Sequence, residues 1–132
     1  MSGTNATQKE TAMQVRKISE VEKEPAAGPL FTSDDVARQP LAPDSNDFNV
    51  SVVSFGVGVR NKFHYHESDQ LLIVTEGKGV VVTESGERAE VSEGDVVFAP
   101  AGEKHWHGSL PDTSFAHITV TRKGGQTTQT EE

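Results

Sequence analysis

The run GVRNKFHYHESDQLLIVTEG, residues 58–77, carries the reading of the fold. His64 and His66 stand two apart. In a strand, residues i and i+2 share a face, so both imidazoles point one way while Phe63 and Tyr65 point the other. Two imidazoles side by side are costly as plain core residues, because each brings polar atoms that need partners. As metal ligands they are well suited. The run continues into QLLIVTEG, a second short segment of strand-forming residues closed by glycine.

Outward from this run the pattern repeats. NVSVVSF, GVVVT, RAEVSEGDVVFAP and FAHITVTR are short and rich in Val, Ile, Thr and Phe, with Gly, Pro, Asn, Asp and Ser between them. Nothing after residue 40 holds a helical period for three turns, so the spacing predicts an all-β antiparallel sandwich or barrel. Ser85-Gly86 marks a hairpin turn, and Phe31, Val36 and Leu41 outline an introductory helical turn and an edge strand. EKHWHG, residues 103–108, repeats the first geometry: His105 and His107 share a face, and Trp106 opposes them. All five histidines fall between residues 64 and 117.

The ends read differently. Residues 1–28 are polar and of mixed charge, too poor in apolar surface to offset their ordering entropy, which predicts a disordered tail. Within it, Ala12, Val15, Ile18 and Val21 recur every three residues, a spacing open to a short helix. Residues 123–132, KGGQTTQTEE, have nothing to pack and predict a second disordered tail, leaving residues 29–122 for the barrel. The 132 residues carry 20 acidic against 12 basic side chains, a formal charge of -8, so the basic footprint of a nucleic-acid or anionic-lipid binder is missing. No apolar run approaches the ~20 residues of a membrane span. The absence of cysteine excludes disulfides, thiolate ligands and thiol nucleophiles. The first residues lack the apolar core of a secretory signal, and a cytoplasmic protein is expected.

The spacing around the histidines is specific. Gly58 is followed by five residues, then His64, Tyr65, His66, three more, Gln70, six more and Gly77. Gly94 is followed by five residues, then Pro100, Ala101, Gly102, two more and His105. Together these resemble the two motifs of the cupin superfamily, G(X)5HXH(X)3–4E(X)6G and G(X)5PXG(X)2H(X)3N. Two positions depart from the pattern: Gln70 stands where the carboxylate belongs, and Ser109 where the last Asn belongs. The wording around His105, PAGEKHWHGSLPDTSFAHITV, is similar to small cupins of the carboxymuconolactone decarboxylase-associated group, which includes manganese-dependent hydroxynitrile lyases.

The resemblance implies a single antiparallel, jelly-roll type barrel. It implies a divalent metal ion on His64, His66, Gln70 and His105, manganese first, with Fe, Ni, Co or Zn admitted by the same donors. An amide brings no charge. Three imidazoles and an amide therefore leave the ion its full +2, a stronger Lewis acid, less tightly held than with a carboxylate. Glu67 or Asp69 would replace the missing carboxylate only if the strand bulged. The resemblance also places His107 and His117 near the metal, where a neutral imidazole suits general-base work. Lys62 shares parity with His64 and could reach the cavity mouth. A small-molecule substrate and a homodimer are expected. The reaction expected is a Lewis-acid lyase or isomerase step on a small carbonyl or hydroxy compound. The alternatives are a metal-dependent dioxygenase, disfavoured because Gln70 cannot act as a base, and a non-catalytic ligand-binding barrel.

Overall fold

A single long strand organises the molecule, for which the computed structural model describes residues 13–132. Ten strands follow in chain order: β1 (Glu24–Pro25), β2 (Val36–Pro40), β3 (Phe48–Phe55), β4 (His64–His66), β5 (Gln70–Thr83), β6 (Arg88–Ser92), β7 (Val96–Ala99), β8 (His105–Ser109), β9 (Phe115–Arg122) and β10 (Thr127–Gln129). Every pairing is antiparallel, and the sheet runs β1-β2-β3-β9-β5-β8-β4-β10, with β6 and β7 also on β5. The chain is all-β, a curled antiparallel sheet.

β5 belongs to both halves of the curl. Its first part pairs with β7 and β9, and its second part with β6 and β8. The changeover falls at a bulge between Val74 and Glu76, followed by Gly77 at φ 73°. Any Cβ at Gly77 would run into the Ser114 carbonyl, so the turn there needs glycine. Inward side chains of the two halves meet in a core of Val36, Phe55, Val59, Val74 and Phe115, where the Phe55 and Phe115 rings stack 5.9 Å apart. Ser109 ties this end together: its hydroxyl accepts the Val59 N–H at 2.9 Å and donates to the Gly56 carbonyl at 2.5 Å. Gly86 turns the chain between β5 and β6 at φ 98°.

The ends depart from the polar tails that composition suggests. In the last ten residues β10 pairs Thr127 with His66 and Gln129 with His64. Glu131 then accepts from Arg60 at 2.8 Å and from the Phe63 N–H at 2.9 Å. The reason is the edge of β4, whose unpaired backbone groups need partners that a polar segment supplies as well as an apolar one. At the other end, residues 1–12 lie outside the described residues. Ala12 is one of these, and over residues 13–21 the expected short helix is replaced by a 3-10 turn at Ile18–Glu20, where the Gln39 amide donates to the Ile18 and Val21 carbonyls at 3.0 and 2.9 Å. β1 pairs with β2, and no helix precedes β2 at Phe31. Among the described residues no helix is long and apolar enough to cross a membrane.

Deleting residues 126–132 removes β10 and the Arg60–Glu131 pair together, and should lower the melting temperature by about 5–10 °C. Calorimetry on the shortened chain checks this; an unchanged melting temperature would mean the segment contributes nothing to stability.

Candidate metal centre

β4 and β8 lie antiparallel with His64 directly opposite His105, and the alternation of each strand turns His66 and His107 to the same interior. His117 arrives from β9, opposite Val74 of β5 and Val53 of β3. His64, His105, His107 and His117 are each 3% exposed or less. His64, His66, Gln70, His107 and His117 line one cavity of about 320 Å³, with Phe55 among its apolar walls.

Hydrogen bonds fix which ring nitrogens face that cavity. His64 donates Nδ1–H to the Lys62 carbonyl at 2.6 Å, and His105 donates Nδ1–H to the Glu103 carbonyl at 2.9 Å. A neutral imidazole with its proton on Nδ1 carries a lone pair on Nε2. His66 has Thr127 Oγ1 2.9 Å from Nδ1, while its buried Nε2 has no partner among the described residues. Ligand nitrogens of His64, His66 and His105 all lie within 4.8 Å of one another, and these three could hold a metal ion. Gln70 adds an oxygen. Its amide N–H donates to Thr119 Oγ1 at 3.0 Å, leaving Oε1 3.1 Å from His105 Nε2. Two acceptors thus face each other across a buried gap, an arrangement a cation relieves and a dry core does not. The residues fit a divalent ion on this observation.

Burial also governs charge. Desolvation pushes His64, His66 and His117 down to about 4, lowers His105, and takes His107 well below its usual range. All five rings are neutral at pH 7, the protonation state ligation requires.

His107 is held from three sides by Asn61, a buried residue the sequence reading did not single out. The Asn61 N–H donates to the His107 carbonyl at 2.9 Å, and the His107 N–H donates to Asn61 Oδ1 at 2.8 Å. That second bond fixes the amide, so its NH2 group faces His107 Nε2 at 3.2 Å and Nε2 must accept. The ring proton therefore sits on Nδ1, which has no hydrogen-bond partner among the described residues, and neither ring nitrogen of His117 has one there. Nothing in the local sequence distinguished Asn61 from a turn residue.

The other candidates are placed elsewhere. Glu67 and Asp69 are exposed; Glu67 accepts the Gln126 N–H at 3.0 Å and Asp69 the Ala101 N–H at 2.9 Å. Lys62 offers its carbonyl to His64, and its side chain lies outside the cavity lining. Trp106 takes the Arg60 guanidinium on its ring, 4.4 Å from the centroid. A larger groove, bounded by Phe48, Asp69, Leu71 and Arg122, opens on the outer surface and touches none of the histidines.

A cupin domain pattern matches residues 51–121, and the chain belongs to the cupin family. It is similar to (R)-mandelonitrile lyase of Granulicella tundricola, 34% identical over 113 residues that make up 84% of this chain and 86% of that one. Among solved structures, a cupin-like protein of Thermotoga maritima matches with a TM-score of 0.78 at 30% identity, over 84% of this chain and 87% of the other. A polyketide cyclase of Streptomyces resistomycificus reaches 0.81 at 21% identity, over 92% and 87% of the two chains, a likeness of fold alone.

In an unfolded chain the histidines titrate near 6.5, so protons bind the unfolded state first as pH falls. Stability of chelator-treated protein should hold above pH ~6.5 and decline steadily toward pH 4. The deeply buried His64 and His117 should each contribute about 1.4 kcal/mol per pH unit across that window. Denaturant melts at half-unit pH steps measure it; a flat profile there would rule out buried neutral rings.

Proposed function

We propose that the chain is a metal-dependent lyase that cleaves or forms a bond beside a carbonyl in a small hydroxy or carbonyl compound, hydroxynitriles first. The observation that carries this reading is the cavity itself. A cluster of converging lone pairs on His64, His66, Gln70 and His105 stands beside two further imidazoles, one a fixed donor and one unpartnered among the described residues. The likeness to a mandelonitrile lyase supports the same chemistry.

His64, His66, Gln70 and His105 would hold the ion. Manganese is favoured by the family resemblance, and three imidazole nitrogens with one amide oxygen also suit Fe, Co, Ni or Zn. Bound there, a divalent ion supplies Lewis acidity toward a substrate oxygen, undiminished by any carboxylate ligand. The remaining steps belong to the protein. His117, neutral and free at both nitrogens, takes the proton of the substrate hydroxyl. As the carbonyl forms, the bond to the cyanide carbon breaks and its electron pair leaves with cyanide. His107 Nδ1–H, fixed as a donor by Asn61, stabilises the departing anion, which then receives the proton from His117. Phe55 and its neighbours keep the site dry, so each of these interactions acts in low dielectric.

We also infer a homodimer. Leu71, Val96 and Phe98 are 39%, 61% and 59% exposed on the outer face, with Leu71 directly opposite Phe98. Contiguous apolar surface of this kind marks an interaction face. Light scattering should give twice the chain mass, and Phe98→Glu should give the single chain.

Elemental analysis of untagged protein should find one divalent ion per chain, and His105→Ala should lose it. Thr127→Val, which strips the hydroxyl beside His66, should weaken Zn²⁺ binding roughly 10- to 100-fold, with Thr127→Ser keeping most of it. Manganese-loaded protein should release cyanide from mandelonitrile. His117→Gln should lower kcat about 100- to 10,000-fold with metal content intact. Turnover that requires oxygen would make the chain a dioxygenase. Failure with every metal, while small ligands still bind, would make it a binding module.

A further inference from the structure

We propose that the cavity contains an anion subsite on the cross-strand row Arg38–Val53–His117, and that its natural ligand is a small organic carboxylate. The ligand's carboxylate would lie over Val53, with its hydroxyl or carbonyl oxygen toward His64, His66 and His105. This rests on the reading of the histidine cluster as the reactive end of the cavity, and adds the chemical class of what enters.

The first observation is charge. The chain carries 20 acidic side chains against 12 basic ones, yet among the described residues no Asp or Glu lines the cavity, and Arg38 is the one permanently charged lining residue. The cavity offers an anion one guanidinium.

The second observation is register. Arg38 of β2 is opposite Val53 of β3, and Val53 is opposite His117 of β9. Neighbouring strands are about 4.8 Å apart, so Arg38 and His117 stand roughly 10 Å apart along one row with only the short valine between them. One small anion fills that span. The next rows along the sheet, Ser51 opposite Thr119 and Asn49 opposite Thr121, add hydroxyl and amide donors to the same wall. Phe31 and Phe55 supply the apolar side against which a carbon skeleton would pack.

The third observation is that Arg38 is available. Its ion-pair partner among the described residues is Glu24 at 3.9 Å, with both side chains more than half exposed. A long exposed contact of this kind contributes little and yields to a better acceptor. A fork of guanidinium N–H groups binds a carboxylate through two parallel hydrogen bonds, which a nitrile or an aldehyde cannot offer. A neutral cyanohydrin would leave Arg38 unused.

The test is calorimetric titration of the zinc-loaded full chain with mandelate and with its neutral counterpart mandelamide. Mandelate should bind at least ~10-fold more tightly, the scale of a charge-assisted hydrogen bond. Arg38→Gln should shrink that preference about 10-fold at unchanged zinc content and unchanged mandelamide affinity, and Arg38→Lys should restore part of it. Equal affinities in the native chain, or the same preference in Arg38→Gln, would overturn the subsite, since the ion alone would then account for binding. Mandelonitrile turnover is scored separately. Turnover without the Arg38-dependent preference would sink the subsite and leave the lyase reading. The preference without turnover would do the reverse.

Discussion

Five imidazoles inside a small barrel with no carboxylate among them set the terms for everything else. A buried imidazole has to stay neutral, and each of its two nitrogens has to meet a partner or remain frustrated. The protein meets four of those ten demands. Carbonyls of Lys62 and Glu103, the hydroxyl of Thr127 and the amide of Asn61 each take one nitrogen of a ring. The other nitrogens are left converging on one space, where His66 Nε2, His107 Nδ1 and both nitrogens of His117 lack hydrogen-bond partners among the described residues. A folded chain that keeps four such atoms unsatisfied is shaped for something that is not protein.

The stacked Phe55 and Phe115 carry that demand into the packing. Phe55 meets the rings of His107 and His117 with centroids 5.8 Å away, so the apolar core forms the floor of the polar cluster. Dryness beneath the histidines depresses their basicity, and the same dryness leaves their lone pairs undiluted by water. Packing and the protonation state of the histidines are thus coupled through one contact surface.

Much of this was legible in the sequence, because a period of two is a strong physical rule. The pairs His64/His66 and His105/His107 could only share a face if the segments were strands, and Gln70 stood at a fixed distance along the chain. Trp106 was bound to face outward by the same rule, and it lies beneath Arg60 on that side. What escaped notice came from the far end of the chain or from polar residues without a pattern. Asn61 sits in an unremarkable polar run, and its importance appears only when β8 folds across to it. Thr127 and Glu131 lie in a segment with no apolar content, yet an open edge at β4 recruits backbone groups and is indifferent to hydrophobicity. Composition can show that a segment has no core of its own. It cannot show that another strand is missing a neighbour.

The continuity of β5 limits how this molecule could be altered by exchange of segments between relatives. Gln70 opens the strand, and thirteen residues later Thr83 sits opposite His105. A recombination joint anywhere between them would pair one parent's glutamine with another parent's histidine register, and a one-residue slip would turn every later side chain to the opposite face. Hybrids should survive where the joint falls in the loops on either side and fail within the strand. The two halves of the sheet are therefore tied together through one continuous strand.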